Sequence, residues 1–335
     1  MGIATTLPVH VAAGVIRRRD GAILLSLRPR HAHQGGLWEF PGGKLEERET
    51  TSMALARELG EELGIRLGET VPLIRVNHDY PDKRVLLDVL EVRTWEGEPH
   101  GREGQEVRWV MPTALDAYRF PAANLPVITA ARLPSFAIRA DFSRACDVAG
   151  LAAALARSVE AGTRLLCLTL PAGTLAPSLA RLLAICREHR ARCTAALQGA
   201  SGEHSVGDGL HLAPWSLRAA KRRPIPVGRL LSATCRNLDD VRRAASLSVD
   251  FIYLDVVQGK DGRADHLRAM VAAATMPAFA SGPTQAADTE SMRRLGCQGV
   301  ALLVTDAADL VMASNRVEPA ASTQPAPPGA QMPQH

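Results

Sequence analysis

The chain of 335 residues lacks the features of a membrane, secreted or nucleic-acid-binding protein. No apolar run is long enough to span a bilayer, which argues against an integral membrane protein. The N-terminus has no succession of basic, apolar and small residues typical of a secretory signal. The net charge of +4 comes without a concentrated basic stripe interleaved with aromatics. We therefore predict a cytoplasmic protein with no membrane partner and no direct nucleic-acid binding.

Cysteine is absent from the first 145 residues and never occurs as a C-x-x-C pair. The six cysteines are Cys146, Cys167, Cys186, Cys193, Cys235 and Cys297. Without paired spacing, neither a disulfide framework nor a zinc site is expected. Several of these residues lie inside apolar segments, so we predict buried free thiols.

The segment from Gly43 to Ile65 contains charged residues at fixed spacings between glycines. Glu58, Glu61 and Glu62 are spaced i, i+3, i+4, so they project from one face of a helix. Crowded carboxylates repel one another unless cations lie among them, and hard oxygen ligands suit Mg²⁺ or Mn²⁺. The spacing predicts a site for divalent metal and polyphosphate. The alternative interpretation is a solvated acidic helix face.

The same segment also predicts where the helix begins and ends. Thr50 or Thr51 can cap its N-terminus, and Gly64 can end it in a left-handed turn. An apolar stripe of leucines supplies the buried face. These are Leu55, Leu59 and Leu63.

The segment fills every position of the pattern G-x5-E-x7-R-E-U-x-E-E-x-G-U, where U is a bulky aliphatic residue. In this it resembles the Nudix box of nucleoside diphosphate-linked hydrolases. The resemblance implies an α/β/α sandwich around a mixed sheet, with the box forming a loop, a helix and a second loop that hold the metals. It also implies that Arg57 pairs with Glu49 to hold the box loop, which is a structural role and not a catalytic one.

The length is too great for the box domain alone and indicates two domains. We predict the first domain over residues 1–135, the second over 136–317 and a disordered Pro/Ala/Gln-rich tail over 318–335. The first domain is predicted to contain a hairpin, a second strand pair, one further strand and closing helices. These strands are Val9–Arg17 with Ala22–Arg28, Val71–His78 with Arg84–Arg93, and Glu106–Met111, and the helical segments run through about Leu133.

Within the first domain the resemblance narrows to MutT-type 8-oxo-dGTP diphosphatases. The matching segments are residues 37–44, 95–105 and 120–128, and the spacing fits from Arg28 to Ile128. The resemblance implies metal ligation by the carboxylates of Glu58, Glu61, Glu62 and Glu103 and by a backbone carbonyl of Gly42 or Gly43. It implies substrate binding by Arg28, His33, Glu39, Phe40, Pro41, Gly42 and Asn124. His33 also has a purely structural interpretation.

Asn124 carries the substrate hypothesis. Oxidation at C8 turns guanine N7 from a hydrogen-bond acceptor into a donor, and an Asn amide can accept from that N7–H while donating to O6. With undamaged guanine, the N7 acceptor would face the amide oxygen, which is also an acceptor. Such a mismatch discriminates strongly against the undamaged base. The alternative role of Asn124 is a helix N-cap before Leu125, and the two roles can coexist.

The resemblance implies Mg²⁺-assisted attack of water on the β-phosphorus of a nucleoside triphosphate, giving 8-oxo-dGMP and pyrophosphate. Either Glu58 or Glu103 would be the general base. Removing the oxidised nucleotide would prevent its insertion opposite adenine during replication.

The second half alternates strand-like runs with helices, which is the rhythm of a parallel β/α barrel. The predicted strands are Phe136–Ala140, Leu165–Leu170, Cys193–Leu197, Gly209–Leu212, Leu230–Thr234, Phe251–Val256, Ala278–Ala280 and Gly299–Val304. Residues 138–315 resemble the thiamine phosphate synthase and TenI family.

The second half also departs from that family. Gln198-Gly199 and Ala213-Pro214-Trp215-Ser216 stand where the family places polar and acidic metal-site residues. We therefore expect a barrel that has lost the synthase reaction, although Ser232 and Gly282 could bind a phosphate-containing ligand. His211 and Lys260 are expected to be structural.

Three classes of function remain open. The first is removal of oxidised nucleotides, and the second is hydrolysis of another diphosphate, such as a thiamine-pathway intermediate. The third is a ligand-sensing or vestigial role for the barrel. We favour the first, because a general diphosphatase has no need of the base contact predicted for Asn124.

Overall fold

A computed structural model describes residues 8–30, 32–144, 147–197, 209–255, 263–282 and 288–314. A mixed-sheet unit ends at Arg132, and a parallel barrel begins at Phe136. The predicted domain boundary at residue 135 falls between these two units. That each unit folds independently, as a separate domain, stays a prediction. Cys146, Gln198, Gly199, Lys260 and the predicted tail 318–335 lie outside the described residues.

The mixed-sheet unit contains nine strands, two helices and two 3₁₀ turns among the described residues. The strands are β1 Val9–Ile16, β2 Ile23–Leu27, β3 Trp38–Glu39, β4 Gly42–Lys44, β5 Arg66–Leu67, β6 Thr70–Asp79, β7 Arg84–Val92, β8 Trp95–Glu96 and β9 Val107–Val110. The helices are α1 Thr51–Leu63 and α2 Leu125–Arg132, and the 3₁₀ turns are Pro112–Ala117 and Ala122–Asn124.

The strands form a four-stranded sheet in the order β4-β1-β7-β6, with smaller sheets β3-β2-β9 and β5-β8. The predicted β6–β7 pair and the strand β9 are confirmed. The predicted hairpin of β1 and β2 is wrong beyond its turn, where a single bridge joins Arg17 to Ile23. A strand has two edges, and β1 pairs with β4 on one and with β7 on the other, so β2 must join another sheet.

Helices cover both faces of the main sheet. Leu55, Leu59 and Leu63 of α1 are fully buried, and they pack with one set of β1 side chains that includes Ala12 and Ile16. The alternate β1 side chains pack in a cluster with four residues of α2. These are Val127, Ile128, Ala130 and Ala131. The alternation along β1 therefore builds the predicted α/β/α sandwich.

The ends of α1 are as the sequence predicts. The Thr50 hydroxyl accepts a hydrogen bond from the Met53 amide at 3.2 Å. Gly64 ends the helix with a φ of +69°. This cap and this turn fix the face that carries the acidic residues.

Eight parallel strands of the second half close into a barrel. The strands are β10 Phe136–Asp141, β11 Leu165–Leu170, β12 Arg192–Leu197, β13 Gly209–Leu212, β14 Leu230–Cys235, β15 Phe251–Asp255, β16 Ala278–Gly282 and β17 Gly299–Val304. The described helices are α3 Val148–Glu160, α4 Ala176–Glu188, α5 Pro214–Ala219, α6 Leu238–Ser246, α7 Arg263–Ala273, α8 Thr289–Arg294 and α9 Ala307–Ser314. The predicted TIM-type barrel is confirmed.

Aromatic side chains occupy the barrel interior. Phe251, Tyr253 and Phe279 are fully buried and contact one another with ring centroids 5.4 to 5.9 Å apart.

The five described cysteines are buried free thiols, as predicted. Among the described residues, no helix is both long and apolar enough to cross a membrane.

Candidate active site

Arg57 and Glu49 form a two-pronged ion pair at the start of the acidic site. Arg57 Nε lies 2.9 Å from Glu49 Oε1, and Arg57 Nη2 lies 3.0 Å from Glu49 Oε2. Nη2 also donates to the Lys44 carbonyl at 3.0 Å. The hydrogen bonds from Arg57 lower the pKa of Glu49 to about 2. This geometry ties the loop before α1 to the helix and supports the structural role predicted for the pair.

Two glycines bring the β4 backbone against the helix and the sheet. A Cβ on Gly43 would lie 2.2 Å from the Glu58 carboxylate, so that carboxylate rests directly on the Gly43 backbone. A Cβ on Gly42 would lie 2.1 Å from the Ala12 carbonyl, and the Gly42 φ is +147°. Only glycine fits both requirements at Gly42. The structure thus brings together Gly42, Gly43 and Glu58, three of the predicted metal ligands.

The loop after β8 brings Glu103 towards the end of α1. The Arg102 amide donates to the Glu62 carbonyl at 2.8 Å, and Gln105 Nε2 donates to the same carbonyl at 3.0 Å. The Glu103 amide donates to the Gln105 side-chain oxygen at 2.9 Å. A polar loop far along the chain is thereby fixed beside the acidic helix.

The carboxylates of this site influence one another. Burial, followed by the charges of Glu39, Glu58 and Glu103, raises the pKa of Glu62 to about 8. Burial also raises the pKa of Glu39 to about 7, although the neighbouring Arg28 lowers it. Buried like charges of this kind are stabilised by a cation.

The donor chemistry fits a hard divalent cation. The oxygens available are carboxylates of α1, the Glu103 carboxylate and the β4 backbone, and oxygen ligands are those that Mg²⁺ prefers. In the described part of the chain, no three His, Cys, Asp or Glu side chains lie close enough together to bind a metal ion without moving. Arg57 Nη1 instead donates to Glu58 at 3.0 Å and reaches Glu61 at 3.5 Å. A bound cation would replace part of the positive charge that Arg57 places beside Glu58 and Glu61.

Arg28 lies beside the acidic cluster and also bonds to the backbone of His33. Arg28 Nη1 donates to the Glu39 carboxylate, and Arg28 Nε donates to the His33 carbonyl at 3.0 Å. The His33 ring lies edge-on to Tyr80, with centroids 5.5 Å apart, and its Nδ1 is 3.4 Å from Asp82. Arg28 therefore lies at the acidic cluster, while the His33 ring turns towards the β6–β7 turn.

The segment that carries Asn124 packs against the segment that leads into β4. The Trp38 amide donates to the Arg119 carbonyl at 2.8 Å, and Phe40 stacks on Phe120 with centroids 5.8 Å apart. These contacts place the predicted base-reading segment alongside residues 38–43.

Asn124 is buried at the end of a 3₁₀ turn, 8% exposed. Its side chain makes no capping bond to α2, so the alternative as a helix cap receives no support. Neither amide atom is among the fully buried side-chain atoms that lack a partner in the described part of the chain, so the amide is not sealed inside the protein. An amide that does not cap its helix retains an acceptor and donors for a ligand.

Tyr80, in the turn between β6 and β7, also contacts this region. Its hydroxyl accepts a hydrogen bond from the Ala123 amide at 3.2 Å, next to Asn124. Its ring lies edge-on to His78, with centroids 4.4 Å apart. The sequence carries no local signal for this contact, because Tyr80 and Ala123 are 43 residues apart.

Two polar residues of the barrel, His211 and Ser232, are bonded to other barrel side chains. His211 Nδ1 lies 2.8 Å from the Ser232 hydroxyl, and Nε2 lies 3.0 Å from the Thr234 hydroxyl. Burial and then the charge of Arg139 lower the pKa of His211 to about 3. His211 is thus neutral and bonded on both sides, in agreement with a structural role. Ser232 is fully buried and donates to Thr194, so its hydroxyl is not open to a phosphate.

A cavity of about 380 Å³ lies at the carboxyl ends of the barrel strands. Its walls include Arg139, Arg236, Asp141 and Trp215. Sequence reasoning did not single out Arg139, whose Nη1 donates to the Ser281 hydroxyl at 2.6 Å.

Comparison with known proteins gives three results for the first part of the chain. Residues 12–130 match the NUDIX domain family. The 8-oxo-dGTP diphosphatase of Escherichia coli (strain K12) is 40% identical over 120 residues, which cover 36% of this chain and 93% of that protein. The CTP pyrophosphohydrolase of the same strain is 35% identical over 122 residues, covering 36% of this chain and 90% of that protein.

For the barrel, a thiamine phosphate pyrophosphorylase from Pyrococcus furiosus aligns with 54% of this chain and 92% of its own length. The identity is 17% and the TM-score is 0.43. The barrel itself is established by the strand pairing of β10 to β17.

Proposed function

The chain belongs to the Nudix family, and from that premise we propose that its first domain hydrolyses 8-oxo-dGTP to 8-oxo-dGMP and pyrophosphate with Mg²⁺. The observation that carries the proposal is the position of Asn124, a buried residue whose side chain makes no capping bond to α2. An 8-oxoguanine edge offers N7–H to the amide oxygen and O6 to the amide NH₂. Guanine itself would leave N7 facing that oxygen, a mismatch that a buried site rejects strongly.

The residues proposed to hold Mg²⁺ are Glu58, Glu61, Glu62, Glu103 and a backbone carbonyl of Gly42 or Gly43. The raised pKa of Glu62 and the contact of Glu58 with Gly43 support this set. Bound Mg²⁺ would neutralise phosphate charge and lower the pKa of a water molecule. Mn²⁺ would fit the same oxygen ligands.

The protein side chains would then position and deprotonate the water. Water attacks the β-phosphorus, its proton passes to Glu58 or Glu103, and the bond from the β-phosphorus to the α–β bridging oxygen breaks. Arg28, at the edge of the acidic cluster, is proposed to bind phosphate oxygens. Glu49 and Arg57 keep the loop in place and take no part in proton transfer.

A second candidate function is hydrolysis of another diphosphate in place of the oxidised nucleotide. The similarity to a protein named for CTP hydrolysis supports this alternative, and thiamine-pathway diphosphates extend it. The two candidates differ in their need for Asn124.

The deciding experiment measures Mg²⁺-dependent pyrophosphate release from 8-oxo-dGTP, dGTP and CTP at equal concentrations. The intact chain is compared with Asn124→Ala. We expect a strong preference for 8-oxo-dGTP that collapses in the variant. Equal cleavage of all three, or a preference for CTP, would favour the second candidate. A preference for 8-oxo-dGTP that survives the substitution would refute the role of Asn124 in base discrimination.

For the barrel, we propose binding of a phosphate-containing ligand without the synthase reaction. The neutral, fully bonded His211 and the cavity beside Arg139 support this interpretation. Calorimetric titration with pyrophosphate in EDTA tests it, because chelation suppresses the metal-dependent site. Arg139→Met should abolish the heat of binding, and a wild-type chain that shows no heat would overturn the proposal.

A further inference from the structure

The barrel contacts the C-terminal end of α2 through a buried glutamine. Gln298 is 3% exposed, and its Nε2 donates to the Ala130 and Leu133 carbonyls, both at 3.1 Å. Two carbonyl acceptors fix the orientation of the amide, since its oxygen would be repelled there. Gln298 Oε1 is buried and has no partner within the described residues. The side chain therefore serves as a donor to the end of α2.

The Ala130 carbonyl is one of the last four of α2, and it also accepts from the Leu133 amide at 3.3 Å, whereas the Leu133 carbonyl directly follows the helix. The last four carbonyls of a helix lack intrahelical donors, and a buried one without a partner is costly. Arg17 Nη2 supplies a further bond, to the Ala131 carbonyl at 2.7 Å. The end of α2 is thus capped from two sides, and the donor from one of those sides comes from the barrel.

Leu133, the residue after α2, plugs the barrel interior. It is 6% exposed and belongs to the apolar cluster formed by the inward-facing barrel side chains. These are Ala137, Leu165, Cys167, Phe251, Tyr253, Phe279 and Ala301. The approach is close, because the Val300 amide donates to the Ser135 carbonyl at 3.0 Å and a Cβ on Gly299 would lie 1.7 Å from that oxygen.

The other end of α2 begins directly after Asn124. The helix has only 8 residues, well below the length at which an isolated helix is stable in water. Its position and order therefore come from tertiary contacts. Because the helix is only about two turns long, a constraint on its C-terminal end also restrains the residue at its N-terminal end.

We propose that the barrel acts as a clamp on α2 that holds Asn124 in the geometry for base discrimination, with Gln298 and Leu133 as positioning residues. The inference rests on the proposed function, because it assigns base reading to Asn124. The barrel thereby acts on the specificity of the first domain without contacting the nucleotide. The chemistry at the phosphates does not depend on the clamp.

The experiment uses the full chain with two variants that loosen the clamp by different means. Gln298→Met keeps the length of the side chain and removes its donors, and Leu133→Ala shortens the plug. Ser314→Ala is the matched control, since Ser314 is as buried in the barrel but bonds to Ser158 and Leu310 and not to α2. Thermal unfolding of all three shows that each variant is folded.

Two readouts separate the clamp from its consequence. Hydrogen exchange of the α2 amides should accelerate in both clamp variants and stay unchanged in Ser314→Ala. The ratio of kcat/KM for 8-oxo-dGTP to that for dGTP should fall about three- to tenfold. That is the change expected when the contact of Asn124 with the base weakens by the free energy of about one hydrogen bond. The loss should lie in KM for 8-oxo-dGTP, while kcat holds.

The outcomes are distinguishable from those of the proposed function. If the wild type discriminates and Asn124→Ala collapses the ratio, an unchanged ratio in folded Gln298→Met and Leu133→Ala overturns the clamp alone. Unchanged exchange of α2 in both variants overturns it as well. A wild type that does not discriminate refutes the proposed function, and the clamp's role in specificity with it.

Discussion

Tyr80 shows how one hydroxyl can tune a neighbouring residue. Its oxygen accepts the Ala123 amide at 3.2 Å and so fixes the turn that presents Asn124. We expect Tyr80→Phe to lower the preference for 8-oxo-dGTP over dGTP about fivefold, the effect of one neutral hydrogen bond. Steady-state kinetics with both nucleotides measure the ratio.

The matched control for Tyr80→Phe is Tyr118→Phe. Tyr118 lies edge-on to Trp38, with centroids 5.3 Å apart, and its ring packing survives loss of the hydroxyl. We expect this control to keep the wild-type ratio. Equal losses in the two variants would mean that any missing tyrosine hydroxyl disturbs the domain, and the specific role of Tyr80 would be refuted.

The buried carboxylate of Asp88 is expected to make the folding stability depend on pH. It is 6% exposed on β7 and accepts Arg75 Nη2 at 3.0 Å, with His10 Nε2 at 2.6 Å. Burial alone would raise its pKa, but the hydrogen bonds from Arg75 and His10 hold the pKa below the ordinary value of 3.8. A carboxylate with a lowered folded-state pKa contributes stability above pH 3.8, and that contribution is lost as pH falls through the lower value.

Asp88→Asn should therefore cost about 1–3 kcal/mol at pH 7 and less below pH 3.8. Urea unfolding at pH 7, 5 and 3 provides the measurement. The difference between wild type and variant should be equal at pH 7 and pH 5 and should narrow at pH 3. A difference that stays constant across this range would show that the carboxylate charge of Asp88 does not contribute.

At the scale of elements, β4 links stability and chemistry through two adjacent glycines. A Cβ on Gly43 meets the flexible Glu58 carboxylate, which can move aside. Gly43→Ala should therefore fold with nearly unchanged Tm, while displacement of Glu58 lowers kcat/KM about 100-fold. Hydrolysis of 8-oxo-dGTP and a thermal melt report the two effects.

Gly42→Ala provides the opposite outcome as a control. Its Cβ meets the rigid Ala12 backbone, and its φ of +147° is unfavourable for any side chain. We expect a clear loss of Tm in this variant. If Gly43→Ala lost stability and kept its activity per folded molecule, the placement of Glu58 against β4 would have no catalytic importance.

The elements also show what a sequence can and cannot predict. Helix α1 was predictable from Thr50 to Gly64, because caps, apolar spacing and the turn glycine are all local signals. The β1–β2 hairpin was not, because its outcome depends on which partners take the two edges of β1. The barrel was predictable from its repeating strands. Its contacts with the first domain, such as Gln298 to α2, have no local signature at a separation of 168 residues.

The candidate site divides in the same way. The acidic residues of α1 share a face because of helical spacing, which the sequence reveals directly. Glu103 reaches them only because Arg102 and Gln105 bond to the end of α1. The bond between Tyr80 and Ala123 is likewise a product of the fold.

At the scale of the whole molecule, the mixed-sheet unit and the barrel are joined by charged pairs as well as by Gln298 and Leu133. Glu91 of β7 pairs with Arg293 of α8 and lies 3.9 Å from Arg17. Arg93 pairs with Glu290 of α8 at 2.7 Å. The side chains of Glu91 and Arg293 are 18% and 11% exposed, so solvent screens their attraction only weakly.

Glu91→Gln should therefore destabilise the junction by about 2 kcal/mol, since it leaves Arg17 and Arg293 facing each other without the carboxylate. In calorimetry, we expect the wild type to unfold in one coupled transition. In Glu91→Gln that transition should broaden or divide, with the barrel and the first domain unfolding at separate temperatures. The control is Glu96→Gln, because the Glu96–Arg66 pair lies on the surface at 71% and 78% exposure and should contribute nothing measurable. If both variants melted as the wild type does, the charged pairs would be incidental to the coupling, and the association of the domains would have to come from Leu133 and Gln298 alone.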